Sequence, residues 1–511
     1  MDTPAVAPAG QIWLRYKSGA GRWVLIGTVL GSAIASIDAT VVGIALPAIG
    51  RDFHAGLADL QWVVNAYTLT LAGLLLFAGT LGDKYGRKRI FLTGVVWFAV
   101  ASLLCSVAPT APALIAARAV QGIGAALLTP GSLAIIEASF HPDDRGKAIG
   151  AWSGLSGVGV AVGPFLGGWL IQVASWRLIF LINLPLAAAV VLIGLRHIPE
   201  SRDPSFTGKL DVTGSVLVTL GLVGLTYGLI EGPTVGWLTA GPLAALIAGV
   251  ALLIGFVAWE RVAPSPMMPL NLFSSAQFTS ANVVTFVVYA ALGGALFLLP
   301  IQLQEVSGYS PLEAGIALLP VTALMLALSA RSGELASRIG PRLQMTVGPL
   351  VIAAGLAMFT LIGPSGNYLT EVLPAVTVFG LGLTINVAPL TSTVLAAVPA
   401  EHAGMASAVN NDVARAASLI AVAVLPAAAG LTGTSYTHPV ELTAGFHRAS
   451  LIAAGLCVIG GVVAAISIRN PQRAKEAAPA SCPVHCGLDA PPARTEVALA
   501  TAPAGQPGTS S

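Results

Sequence analysis

Charge is scarce in this chain of 511 residues: only 9% are Asp, Glu, Lys or Arg, where a soluble domain carries about 25%. Apolar residues make up 55%, and the mean hydropathy is +0.82. That balance excludes a soluble globular protein. A net charge of +2 leaves no basic surface for nucleic acid. Cysteine is nearly absent, with four residues. Cys105 and Cys457 fall in apolar runs, where a buried thiol is the ordinary reading. Cys482 and Cys486 flank His485, but two thiols and one imidazole at this spacing match no closed zinc pattern, so no metal is expected. There is no P-loop and no His/Asp/Glu cluster within an apolar run. The constellation of an enzyme is therefore missing, and no cofactor is expected. No loop is long enough to hold the soluble domain of a sensor. Aromatics are only 6%, which argues against a cation–π cage for a ligand.

What the chain has is long apolar runs. Fourteen are long enough to span a bilayer, near 23–49, 61–81, 90–108, 112–138, 147–173, 177–195, 212–230, 239–259, 278–303, 312–333, 345–363, 370–396, 404–430 and 447–468. They must be helices, because lipid offers backbone groups no partner. With both termini placed in the cytoplasm, twenty of the 25 basic residues lie inside. Only Arg51, Arg177 and Arg448 lie outside, and Arg118 and Arg415 lie within spans. The positive-inside rule selects this orientation. No secretory signal peptide is expected before the first span. Residues 471–511 are rich in Ala, Pro and Ser and are expected to be a disordered tail.

The chain also repeats itself. Gly79-Thr-Leu-Gly-Asp-Lys-Tyr-Gly86 follows span two, and Gly333-Glu-Leu-Ala-Ser-Arg-Ile-Gly340 follows span ten with the same glycine spacing. Thr129-Pro130 in span four is echoed by Ala388-Pro389 in span twelve. The offsets, 333 − 79 = 254 and 389 − 130 = 259, nearly agree. Six spans therefore repeat, and spans seven and eight are an insertion. The expected fold is an all-α polytopic membrane protein: a segment 1–22, a six-helix bundle 23–200, a linker 201–265 with two inserted helices, a second six-helix bundle 266–470, and the tail. Parallel halves of this kind suit a rocking transporter with a central site.

Ionisable residues inside spans cost about 2.5–3.5 kcal/mol each at a helix centre, so each is a functional candidate. Asp38 is one. Trp23 opens the first span, so Asp38 lies about 22 Å along it, past the midplane toward the outside. Burial favours the neutral carboxyl, as a proton carrier requires; the alternative is a polar group satisfied by neighbouring helices. Arg118 in span four cannot shed its charge and needs a partner, of which Asp38 is one choice. It serves either proton relay or gating, or a purely structural pairing. Asp412 and Arg415, three apart in span thirteen beside Asn410 and Asn411, either neutralise each other or form a polar patch lining a cavity. Glu231, Glu305 and Glu313 fall near outer span ends, where solvation is the default. In the loop Gly82–Arg89, Asp83 between glycines can cap a helix or pair across to the other half as a latch.

The fifth span, Gly146–Gly168, carries glycine every three or four residues. Gly146, Gly150, Gly154 and Gly157 share one helical stripe, and Gly159, Gly163 and Gly167 form a second. Each costs a helix about 1 kcal/mol relative to alanine. In lipid, glycine lets two backbones approach closely, and Pro164 adds a kink. The matching span of the second half, which carries Asp412 and Arg415, shows no such pattern.

Several of these segments match one family. Gly79–Arg89 resembles the loop signature between spans two and three of the major facilitator superfamily, and Leu114–Gly124 resembles its fourth-span arginine motif. Gly154–Gly168 is similar to the fifth-span antiporter motif. Ile37–Pro47, Trp176–Pro185 and Met405–Asn411 are similar to segments of the fourteen-span drug:proton antiporters. The resemblance implies proton-driven export of small amphiphilic or cationic molecules through a bacterial plasma membrane, with no cofactor beyond the proton-motive force. Export of an endogenous metabolite or lipid, or uptake, are the alternatives on the same fold. It implies proton coupling or cation recognition for Asp38, proton relay for Arg118, and gating for Gly79, Asp83, Gly86 and Arg87. It implies a directional hinge for Gly159, Gly163, Pro164 and Gly167. Expected partners are the small-molecule substrate, protons and the bilayer, with no nucleic acid, and the monomer is expected to suffice. One departure is visible: Ser337 stands where the first half has Asp83, so a latch would be asymmetric.

Overall fold

The computed structural model describes residues 13–202, 208–399, 402–433 and 435–470, with only the backbone for Val160 and Ala161. The tail, with Cys482, His485 and Cys486, lies outside the described residues. Fourteen helices are long and apolar enough to cross a membrane. They are α1 (Gly19–Phe53), α2 (Leu57–Tyr85), α3 (Arg87–Ser106), α4 (Ala111–Ser139), α5 (Pro142–Val173), α6 (Leu178–His197) and α7 (Val212–Val235). Then come α8 (Ala240–Glu260), α9 (Ala276–Glu305), α10 (Pro311–Ile339), α11 (Pro341–Leu361), α12 (Tyr368–Ala396), α13 (Ala403–Ala428) and α14 (Pro439–Ser467). Each sequence-expected span falls on one of them.

The helix ends follow ordinary capping chemistry. Ser18, Thr110 and Ser275 accept from the third backbone N–H beyond them, and Ser310 with Glu313 forms a capping box. Pro311, Pro341 and Pro439 occupy first-turn positions, where no donor is lost.

The repeat is visible in packing. α3 lies on α4 as α11 lies on α12, α1 on α5 as α9 on α13, and α1 on α6 as α9 on α14. One corner shows it atom by atom. Gly86 (φ +118°) lets Glu200 approach its Cα, and Glu200 Oε1 accepts from Lys88 N at 3.1 Å. Gly340 (φ +86°) is abutted in the same way by Asn470, whose Oδ1 accepts from Arg342 N at 3.0 Å. In both halves a residue just past the sixth helix caps the start of the third. Replacing Gly86 with alanine would place a Cβ against the Glu200 carboxyl in a backbone region that side chains rarely adopt. The expected cost is about 1–3 kcal/mol, read as a lowered melting temperature of the purified protein.

The inserted pair is not symmetric. α7 and α8 pack on each other, and α7 also packs on α2 of the first half and α13 of the second. Leu69, Ala72, Leu222 and Leu419 form the apolar contact where the three meet.

Among the described residues, the polar contacts between the two halves gather at one end. The N-terminal end of α1 defines the near end, where the basic residues Arg15, Lys17, Arg22, Lys84 and Arg87 collect. At the far end, Arg51 pairs with Glu305, Tyr436 donates to Ala55 O, and Leu57 N donates to Gly433 O at 3.2 Å. Gln304 donates to Ile44 O at 3.0 Å, and Gln61 to Val422 O at 2.6 Å. Gly168 lies against the backbone of Pro311, and Gly315 against that of Pro164, so α5 and α10 touch main chain to main chain there. Toward the near end they part: a Cβ at Gly146, Gly150 or Gly154 would meet nothing within 4 Å. α5 and α10 thus approach main chain to main chain at the far end and lose that contact toward the near end.

Two sequence expectations need correction here. Glu305 is not simply solvated at a span end but crosses to Arg51 of the other half. Asp83 does not reach the other half. Its Oδ1 accepts from Arg87 Nε at 2.9 Å, four residues along, because the turn at Gly86 folds the start of α3 back over the end of α2. Arg87 also donates to Ala134 O. In the second half Arg338 pairs with Glu334, and Ser337 bonds only its own turn.

Candidate functional site

Asp38 is the twentieth residue of α1, just beyond the middle of the helix, and is 1% exposed. A carboxylate that deep must be compensated. α4 supplies the compensation. Arg118, also 1% exposed, donates from Nη1 to Asp38 Oδ2 at 2.6 Å, and from Nε to Val63 O at 3.1 Å. Gln121, one turn further along α4, accepts from the same Nη1 and donates to Asp38 Oδ1 at 2.8 Å. Asn183 of α6 donates to Asp38 Oδ1 at 3.3 Å, and both amides also reach Ser102 Oγ of α3. The Tyr67 ring faces the guanidinium at 4.2 Å, and Phe180 lies at 5.7 Å. Every polar contact to Asp38 is a donor, so both oxygens are held as an ionised carboxylate would be. All five helices that meet here belong to the first half.

A proton arriving on Asp38 Oδ2 competes with Arg118 for the same oxygen. Arg118 would keep its hydrogen bonds to Val63 O and Gln121 Oε1, with its charge left uncompensated.

α5 supports this centre from outside. Gly159 packs on Ala33, Gly163 on Thr40 and Gly167 on Val41, the residues of α1 that bracket Asp38. A Cβ at Gly163 would collide with Thr40 Oγ1. The second glycine stripe is therefore a close-approach surface for α1, while Gly146, Gly150 and Gly154 have nothing within 4 Å of a Cβ. Pro164 leaves its own N–H position empty, and its carbonyl meets Gly315 of the opposite half.

In the second half, α13 carries the polar patch. Asp412 and Arg415 do not form the ion pair that their spacing allows. Asp412 Oδ1 and Arg415 Nε are both shielded from solvent and have no hydrogen-bond partner. Three residues of helical offset bring the charges near without contact. Asn410 donates to Asn282 Oδ1 at 3.0 Å and Thr285 Oγ1 at 2.7 Å on α9, and Asn411 bonds its own turn.

The spans' charged residues announced themselves in the sequence, and the neutral ones did not. Gln121, Asn183, Ser102 and Tyr67 complete the Asp38 site. Gln121 stands three residues from Arg118, a spacing that puts both on one face and was the available signal. Asn183 lies within the Trp176–Pro185 segment.

Comparison with known proteins bears on this arrangement. The family described as Major Facilitator Superfamily matches residues 28–423. A tetracenomycin C resistance and export protein of Streptomyces glaucescens is 36% identical over 424 residues, covering 83% of this chain and 77% of that protein. A methylenomycin A resistance protein of Bacillus subtilis is 35% identical, covering 82% of this chain and 90% of that protein. Among solved structures, a bacterial homologue of the human lysosomal transporter Spinster, in an inward-facing and unoccupied conformation, aligns with a TM-score of 0.60 at 17% identity. It covers 89% of this chain and all of that one. At this identity the likeness is one of fold.

Proposed function

The chain belongs to the major facilitator superfamily, and from that premise we propose that it is a proton-coupled antiporter exporting small amphiphilic or cationic compounds from a bacterial cell by alternating access. The observation that carries the reading is the buried Asp38–Arg118 pair. It is a titratable group held by donors that each have a second partner, on a helix that the glycine face of α5 braces. The resistance and export roles printed for the relatives support an antibiotic-like substrate. The basic near end is assigned to the cytoplasm by the positive-inside rule, so both termini are cytoplasmic and the cleft of the proposed cycle, between the halves, opens inward.

In the proposed cycle, substrate enters the cleft from the cytoplasm while Asp38 is paired with Arg118. The far-end contacts part, the near ends close, and a proton from outside binds Asp38 and releases Arg118. The rearranged α1–α4 contact weakens substrate binding, and substrate leaves outward. The proton departs inward when the cleft reopens, and Arg118 returns. Proton-motive force is the sole energy source, and one chain contains the whole site.

Inverted vesicles test the reading. With an acid interior maintained by respiration and reported by a fluorescent amine, added ethidium is expected to discharge the gradient and accumulate inside. Accumulation that persists unchanged with a protonophore would overturn proton coupling.

A further inference from the structure

The inserted helices hold a second pair of buried carboxyl groups that the transport cycle above does not use. Asp211 caps α7 and is 9% exposed; its Oδ1 accepts from Gly214 N at 2.9 Å and Trp259 Nε1 at 2.8 Å. Glu260 ends α8 and is 3% exposed; its Oε2 accepts from Met268 N at 3.0 Å, in the segment leading to α9. Each carboxyl group thus has one oxygen satisfied. The other two, Asp211 Oδ2 and Glu260 Oε1, are buried without any hydrogen-bond partner. Both border Gly214: a Cβ there would collide with Asp211 Oδ2 and lie 2.9 Å from Glu260 Oε1. The two free oxygens therefore share the space beside Gly214.

No Lys, Arg or His among the described residues forms an ion pair with either group. Lys209 and Arg261 flank the pair in sequence, and neither bonds it. On α2 and α13, which pack against α7, Asp83 is bonded to Arg87, and Lys84, Asp412 and Arg415 make no contact with the pair. Two ionised carboxylates facing each other without a cation or donor would be costly. One proton removes the conflict: it turns a like-charge contact into an O–H···O hydrogen bond that satisfies both free oxygens.

We propose that Asp211 and Glu260 form a proton-binding site on the inserted helices, with a single proton shared between Asp211 Oδ2 and Glu260 Oε1. The proton comes from the near-side solvent and returns there. While bound, it ties the start of α7, the end of α8 and the segment before α9 into one unit. Its loss sets two negative charges against each other and loosens that joint.

Thermal unfolding of the purified full chain across pH tests this. The shared proton contributes stability while it is bound, and that contribution is lost as pH rises through the titration of the pair. The wild-type melting temperature is expected to fall by several degrees between roughly pH 6 and roughly pH 9. In Glu260→Gln the carboxamide donates without a proton, so that fall is expected to disappear; Asp211→Asn is expected to behave alike. Superimposable pH profiles for wild type and both variants would overturn the proposal. So would restoration of the wild type at high pH by sodium or calcium, which would make the ligand a metal cation. If neither variant folds, infrared difference spectra of the Asp38→Asn/Asp412→Asn protein decide. A protonated-carboxyl C=O band lost as pH rises supports the shared proton, and its absence refutes it.

Discussion

Asp38→Asn is expected to abolish gradient-driven export while sparing exchange of substrate across a vesicle membrane at equal pH. Asparagine keeps the shape of the side chain but removes both the charge and the proton-accepting oxygen. Arg118, itself 1% exposed, then faces a neutral carboxamide with its positive charge uncompensated. Removing one partner of a buried pair costs about 3–5 kcal/mol of stability. Gradient-driven accumulation should fall to the background of vesicles without the protein. Lost folding would be confused with lost coupling, so Asp38→Asn/Arg118→Gln is the companion. It removes both charges together and should melt higher than the single variant, yet show no coupling. Retained proton-driven efflux by well-folded Asp38→Asn protein would remove Asp38 from the coupling step.

The second prediction concerns the glycine-rich α5, where two substitutions on one helix should fail in opposite ways. At Gly163, leucine would drive α5 off α1 at Thr40, directly beside Asp38. Overpacking of this kind costs about 1–3 kcal/mol even where the neighbours can move, and here the neighbour is the helix bearing Asp38. Both stability and transport should drop. At Gly150, where a Cβ meets nothing within 4 Å, leucine should be accommodated and should raise stability by about 0.5–1 kcal/mol through helix propensity. Transport should nonetheless be lost, because the near ends can no longer close over the added side chain. The check is melting temperature against transport rate for both proteins. A fully active Gly150→Leu would mean that this stripe never meets the opposite half.

How much of this was legible in the sequence depends on what lipid makes expensive. Fourteen spans could be read because a run of apolar residues leaves backbone groups no other solution. Asp38 and Arg118 stood out because a charge in such a run needs a reason. Gln121 and Asn183 did not, since a neutral amide in a span is tolerated and acquires meaning only when a carboxylate is found beside it. Arg51 and Glu305 are 254 residues apart, and no local pattern links them. The partner of Asp83 was not legible because the loop spacing suits both a local pair and a distant one, and the turn at Gly86 selects the local pair. The site of the insertion was hidden for a different reason. A helix face packed on other helices in a membrane is as apolar as one facing lipid, so hydropathy does not distinguish them.

That last point gives α7 its significance. A pseudo-twofold protein of this kind has two lateral seams between its halves, here α2 against α13 and α5 against α10. α7 lies along the first, touching both helices. Along the second, a Cβ at Gly157 would meet Leu326, and one at Gly154, Gly150 or Gly146 would meet nothing within 4 Å. The two seams of the repeat are therefore unequal: the inserted pair braces the first and leaves the approach of the second to glycine.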